Sequence, residues 1–293
     1  MLPSLLTSDD LFAGTLRRKV KHVILCVIAG GVRKSEAIDQ SEGALMPRLF
    51  GSGKLPASHL LDLFGESYPR SASAPLLDQG VLFSEFHHAQ GPTSQAGAVH
   101  ALLSGSYADY TESASHLQAS GLNVTLKLDL NVVDKSPTRI TDRITETKPE
   151  LTLLTLHGAD IAHTNFTAYC GALISIDEVV GELWQQIQHT TGMANDTVLI
   201  ILPEHGRNAM HNAVVDEHGR YGLDHATLRP LFGGDQHARD SFCLVLGPQH
   251  ALKHGVEVKE SPAETVHVRP FIEGLLGRNT SATPLDVALN QAV

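Results

Sequence analysis

Apolar positions along this chain gather into short runs, two of them unbroken and the others interrupted by at most two polar residues, that end in polar turns. Residues 20–29, 81–86, 151–156, 198–202 and 242–246 are such runs, each of strand length. A strand that is apolar at every position, rather than at alternate ones, is covered on both faces, which is the condition of strands in a parallel sheet. Residues 122–128 alternate instead and predict a strand with one wet face. Helical stretches lie between the runs, at 45–50, 58–64, 96–103 and, at the end, 266–276. The clearest helix carries Tyr169, Leu173, Ile176, Val180, Leu183 and Ile187 at spacings of four and three, a single apolar stripe. Ser104-Gly105 stops the helix over 96–103, with glycine in a natural C-cap position. Strands alternating with helices imply βαβ units with right-handed crossovers. The expected architecture is a three-layer α/β/α domain on a mostly parallel sheet over residues 1–293, with a small insertion around 107–150, most solvated over 132–149.

Composition narrows the chemistry. At 293 residues the chain can bury one large α/β core. A formal charge of −10 argues against a nucleic-acid or anionic-membrane surface. Phosphate and sulfate esters stay open, because a bound divalent metal inverts the local field. Histidine is abundant at 17, against 22 lysines and arginines together, which raises the expectation of a metal site. Cys26, Cys170 and Cys243 are odd in number and flanked by apolar residues, so they read as buried thiols rather than disulfides. No apolar run approaches the roughly 18 residues of a membrane span. The first residues lack a basic, then apolar, secretory leader, so the expected location is the cytoplasm; removal of a leader for periplasmic export would leave the same sequence.

Candidate chemistry sits where the apolar runs end. The strand over 198–202 empties into Glu204-His205-Gly206, the one over 151–156 into a loop with Asp160 and His163, and His237 lies just before the run at 242–246. In open α/β sheets the ligand crevice lies at the carboxyl ends of the strands. One such cluster alone reads as a polar strand exit with a capping carboxylate. Three at strand ends favour a shared site, and carboxylate oxygen with imidazole nitrogen suits zinc, manganese or iron. Asp224-His225 is an alternative third ligand, though the spacing to the following strand favours His237. His87-His88 reads as a surface pair, and Arg33 and Arg207 as solvated loop arginines unless they grip an ester oxyanion.

The order of these motifs resembles the alkaline phosphatase superfamily of phosphatases, nucleotide pyrophosphatases, sulfatases and cofactor-independent phosphoglycerate mutases. Residues 23–33 look like the first strand and its metal loop, 92–107 like the nucleophile helix, and Glu204-His205-Gly206 like the family's Asp-His-Gly. Residues 237–248 and 266–277 are similar to the late histidine with the last core strand and to the terminal helix. The resemblance implies a divalent metal, zinc by its ligands, held by Asp160, His163 and His237, and a second site to which Glu204 and His205 contribute. It also implies a Thr, Ser or modified Cys nucleophile activated for in-line displacement.

The sequence departs from the family at four places. Glu204 stands where Asp is usual, and the Asp160 to His163 interval is one residue shorter than in many members. The first strand ends in Ala29-Gly30-Gly31, where the family has a metal-binding Asp. Counting back from Ser104-Gly105 puts the nucleophile at Gln95; Thr93 or Ser94 serves if the register slips. Two readings follow: a divergent metal-dependent phosphate- or sulfate-ester hydrolase with one metal site, or a catalytically inactive protein of this fold that serves an assembly as a structural or binding subunit.

Overall fold

A computed structural model describes residues 18–39, 45–51, 74–91, 95–108, 122–132, 137–163, 166–207, 220–223, 230–232, 239–278 and 280–290. Its centre is β1 (His22–Ile28), flanked in parallel by β4 (Leu151–His157) and β5 (Thr197–Pro203). β3 (Leu126–Asn131) extends the sheet in parallel beyond β4. On the other side come β8 (Asp240–Leu246), β2 (Gly80–His87) and β9 (Val256–Val258), completing the order β3-β4-β1-β5-β8-β2-β9. β8 pairs antiparallel with both β5 and β2, while β9 is parallel to β2. One strand therefore opposes six. A two-stranded antiparallel ladder, β6 (Arg220–Leu223) with β7 (Pro230–Phe232), stands apart from this sheet.

The apolar runs explain the layers. Successive residues of a strand point to opposite faces, and in β1 Ile24, Cys26 and Ile28 enter one core while Val23, Leu25 and Val27 enter the other. The first core is roofed by the 24-residue helix α5 (Phe166–His189), and all six residues of its predicted stripe are fully buried there. The short helices α1 (Lys34–Ala37) and α2 (Pro47–Phe50) and the crossover helix α4 (Pro137–Thr147) lie on that side. α3 (Gln95–Ser104) and α6 (Val268–Leu275) cover the opposite face with Leu102, Leu103, Phe271, Ile272 and Leu275.

Four boundaries differ from the sequence reading. The strand expected at 122–128 runs over Leu126–Asn131, with alternate residues Leu128 and Leu130 buried. The stretch 132–149, read as a solvated insertion, holds α4, which buries Ile140 and Ile144 one turn apart and leaves an otherwise polar surface. Two apolar residues in eleven were too few to announce that helix. The closing helix begins as a 3-10 turn (Thr265–His267) before α6. α1, four residues long, and β9, three, are below the length that periodicity can register. The helix read at 58–64 lies outside the described residues. The three cysteines are buried and free, and burial alone pushes the Cys26 thiol up to about 12. Among the described residues no helix is long and apolar enough to cross a membrane.

Candidate functional site

Strand direction decides which loops can meet. β1, β2, β4 and β5 run the same way, so their exits share one edge of the sheet, and the antiparallel β8 starts at that edge. That is why a histidine preceding β8, rather than following it, can belong with residues that follow β4 and β5.

At the centre of the edge, the exits of β1 and β5 touch. The Glu204 amide donates to Ile28 O at 3.0 Å, and Glu204 Oε1 accepts from the Gly30 amide at 2.7 Å. His205 follows, fully buried, with Nδ1 2.6 Å from Gly206 O and Nε2 3.4 Å from Glu204 Oε1. Nδ1 faces a carbonyl and so donates its proton there, which leaves Nε2 as the ring nitrogen turned toward Glu204. Glu204 is itself 2% exposed, and its Oε2 is buried with no hydrogen-bond partner among the described residues. A buried carboxylate oxygen left unbonded is costly, and such an atom is retained where something else takes it up.

The β1 exit is shaped by two glycines. Gly30 and Gly31 have φ of 95° and 75°, the left-handed region that L side chains avoid. A Cβ on Gly30 would lie 2.2 Å from the Asp160 amide nitrogen, and one on Gly31 would lie 2.5 Å from the His205 ring. The turn after β4 (Ala159–His163) packs directly against this bare backbone.

Beyond the glycines lies a buried charged cluster. Arg33 is 7% exposed and Glu36, one turn along, is fully buried; the two form an ion pair. Tyr169, from the first turns of α5, accepts a hydrogen bond from the Arg33 amide at 3.2 Å and shares one with Glu36. Burial, then the Glu36 charge, holds the Tyr169 phenol well above its ordinary value. Arg207 completes the cluster: it is 1% exposed, and its guanidinium carbon lies 4.6 Å from the Tyr169 ring centroid. Its Nη1 donates to Gly30 O at 2.6 Å, with Gly31 O and Ala159 O at 3.4 and 3.5 Å. Both arginines are thus interior residues, which corrects their reading as solvated loop arginines.

A second polar group lies at the β2 exit. His88 is 1% exposed, bonded to Thr265 Oγ1 at 3.2 Å and edge-on to Tyr107 at 5.3 Å, so it is not the surface residue the sequence suggested. His87 pairs with Asp240 at 3.1 Å. Tyr107 OH accepts from the Ala89 amide at 2.9 Å and donates to Glu264 Oε2 at 3.1 Å. Burial, the largest cause, pushes that phenol up to about 12. Arg239 reaches from just before β8 to His88 O at 3.0 Å and Gly91 O at 3.1 Å. The chain entering the loop that contains Thr93 and Ser94 is tied down here, at His88, Ala89 and Gly91.

Of the expected site residues, Glu204 and His205 are together and buried at the β5 exit. Asp160 is exposed on the neighbouring turn. Thr93, Ser94 and His237, and the side chain of His163, lie outside the described residues. Among the described residues no three of His, Cys, Asp and Glu come together as metal ligands. Sequence reasoning missed Glu36, Tyr169 and the interior role of Arg207. An i,i+3 Arg–Glu pair directly after an apolar strand was the available signal for the first.

Three comparisons bear on this architecture. A model of the type I phosphodiesterase / nucleotide pyrophosphatase family matches residues 70–241, a span that includes the exits of β2, β4 and β5 and excludes that of β1. No curated protein sequence matches the chain. Among solved structures, lipoteichoic acid synthase LtaP from Listeria monocytogenes is similar at a TM-score of 0.57 and 11% identity, over 95% of this chain and 77% of that one. Murine ectonucleotide pyrophosphatase/phosphodiesterase 5, solved as an inactive variant in complex with AMP, is similar at 0.55 and 11%, over 93% of this chain and all of that one. These likenesses establish a shared fold. With the family model spanning more than half of its length, the chain belongs to the type I phosphodiesterase / nucleotide pyrophosphatase family, within the alkaline phosphatase superfamily.

Proposed function

We propose that this chain is a divergent phosphate- or sulfate-ester hydrolase whose ester site is the strand edge around Glu204, with one divalent metal rather than two. The observation that carries the reading is the buried Glu204–His205 pair at the β5 exit, with Oε2 of Glu204 unbonded. A structural carboxylate at a strand exit caps a backbone or meets solvent; this one turns one oxygen to Gly30 and leaves the other inside the cleft. The murine relative binds AMP, and a phosphodiester or phosphate monoester is the substrate class that relative suggests.

Asp160, His163 and His237 are the proposed holders of the metal, a set of one carboxylate and two imidazoles suited to zinc. Such a metal, when bound, polarises an ester oxygen as a Lewis acid. The rest falls to the chain itself. Thr93 or Ser94 offers the hydroxyl for in-line attack, on a loop whose entry, at Ala89 and Gly91, is held in place by Tyr107 and Arg239. Glu204 Oε2 accepts a hydrogen bond from that hydroxyl or from water, and the covered edge limits competing solvent.

One observation favours the second reading, an inactive binding or structural subunit: the glycine turn leaves no room for the family's aspartate after β1. The experiment that separates the two measures zinc per chain together with hydrolysis of aryl phosphate, aryl phosphodiester and aryl sulfate esters. Zinc near one per chain, with slow turnover that Asp160→Asn and His237→Ala both abolish, supports the hydrolase. Stoichiometric folded protein without turnover on any of the three esters sinks it and leaves the inactive reading.

A further inference from the structure

We infer that the guanidinium of Arg207 stands in for the second metal of the site, a fixed organic cation at the meeting point of the β1, β4 and β5 exits. The inference rests on the reading of this edge as the ester site.

Three features of the cleft lead to it. First, Arg207 follows Glu204 by three residues on the β5 exit, and its Nη1 bonds Gly30 O from the β1 exit, with Ala159 O of the β4 exit at 3.5 Å. A single cationic group thus joins the three loops that a bridging metal would have to join. Second, Gly30 stands between opposite charges: its amide donates to the Glu204 carboxylate at 2.7 Å and its carbonyl accepts from Arg207 at 2.6 Å. The aspartate the family places here is thus exchanged for backbone polarity, and the positive charge comes from Arg207. Third, among the described residues the buried charges at this edge already cancel. Glu36 and Glu204 carry two negative charges; Arg33 and Arg207 carry two positive ones; all four side chains are interior. A divalent ion added to this set would be an uncompensated buried charge, which a low-dielectric site does not tolerate.

Ligand number points the same way. Glu204 and His205 are two protein ligands, below the three of a catalytic zinc site, and no third His, Cys, Asp or Glu joins them among the described residues. Arginine suits the role because it stays charged in any protein environment and lies flat on an aromatic face, here Tyr169 at 4.6 Å. Glu204 Oε2 is then the acceptor for water or ester and not a metal ligand.

The test uses the full chain, loaded with zinc and dialysed, with zinc counted by elemental analysis and stability read by thermal melting. Wild type and Glu204→Gln are expected to carry the same zinc, whereas Asp160→Asn loses it. Arg207→Met should lower Tm by roughly 10 °C, the effect of leaving the Gly30, Gly31 and Ala159 carbonyls without their buried charged donor in a chain of this size. Arg207→Lys, which keeps the charge, should recover at least half of that. Loss of zinc in Glu204→Gln overturns the inference while leaving the metal-dependent hydrolase standing. Absence of zinc from wild type, with the Arg207 melting pattern intact, sinks the metal-dependent reading and leaves the guanidinium in its place. Equal melting of wild type and Arg207→Met overturns it outright. Should Arg207→Met not fold, the zinc comparison of wild type with Glu204→Gln still decides.

Discussion

Restoring the family's aspartate at the β1 exit should fail, and the structure says by how much. In Gly30→Asp, a backbone at φ 95° must carry a side chain, a strain of about 1–3 kcal/mol. The new Cβ would start 2.2 Å from the Asp160 nitrogen and 2.6 Å from the Asp160 Cα. Those are backbone atoms that cannot rotate aside, so the turn after β4 must retreat by about 1 Å, an overpacking cost of about 1–3 kcal/mol. The retreat also loosens the two hydrogen bonds of Gly30, to Glu204 and from Arg207, each to a buried charged group and worth about 1.5–3 kcal/mol if broken. A total of roughly 5 kcal/mol follows, or a Tm lower by about 10–20 °C at 2–4 °C per kcal/mol. Thermal melting of wild type, Gly30→Asp and Gly30→Ala measures it, with a zinc titration alongside. Alanine brings the same Cβ and backbone strain without charge, so it should melt nearly as early as aspartate. An unchanged Tm in Gly30→Asp, above all with a second zinc bound, would refute the reasoning and show that the glycine turn yields easily.

Two further outcomes are expected from buried acids. Asp177 is 2% exposed, accepts the amides of Arg48 and Leu49 at 2.9 Å each, and is pushed by burial from 3.8 up to about 7. A carboxyl raised in the folded state binds its proton more tightly there than in the unfolded chain. Its stability contribution is therefore complete below pH 4 and is lost as pH rises to 7, by about 4 kcal/mol at 1.36 kcal/mol per pH unit. Urea denaturation from pH 4.5 to 8 should show this decline in wild type and much less of it in Asp177→Asn; equal pH slopes would refute it. Glu36→Ala leaves Arg33 buried without its carboxylate and should cost about 3–5 kcal/mol in urea denaturation, and a loss below about 1 kcal/mol, the size of a surface pair, would show that the Arg33–Glu36 pair is not buried in solution.

The layers of this protein were legible because burial on both faces writes itself into the chain as runs dominated by apolar residues. The β1, β2, β4, β5 and β8 runs and the stripe of α5 all stand in the structure close to where the pattern puts them. What stayed hidden follows from the same physics. The only apolar residues that α4 shows buried among the described ones are Ile140 and Ile144, beside Thr141, so its sequence looks like surface. The direction of β8 was also beyond reach, since an apolar run reads alike in either orientation, and only hydrogen-bond register shows that its start, not its end, meets the exits of β1 and β5.

At the edge itself the carboxylate and imidazole of Glu204-His205 were visible as residue types, but their partners were not. Arginine is so seldom buried that a loop arginine is rightly read as solvated. Arg207 departs from that rule because three carbonyls and an aromatic face surround its guanidinium. Those partners come from three separate parts of the chain, the β1 exit, the β4 exit and α5, so no local pattern encodes the arrangement. The glycines carried the complementary clue. Ala29-Gly30-Gly31 registers in the sequence as a missing aspartate; in the structure it is a backbone surface shaped to take the β4 turn on one side and the Glu204-His205-Gly206-Arg207 segment on the other. The bare backbone at Gly30 and the burial of Arg207 therefore go together. A side chain at Gly30 would push away the turn whose Ala159 carbonyl lies beside Arg207, and a carbonyl lattice without the guanidinium would have no reason to close.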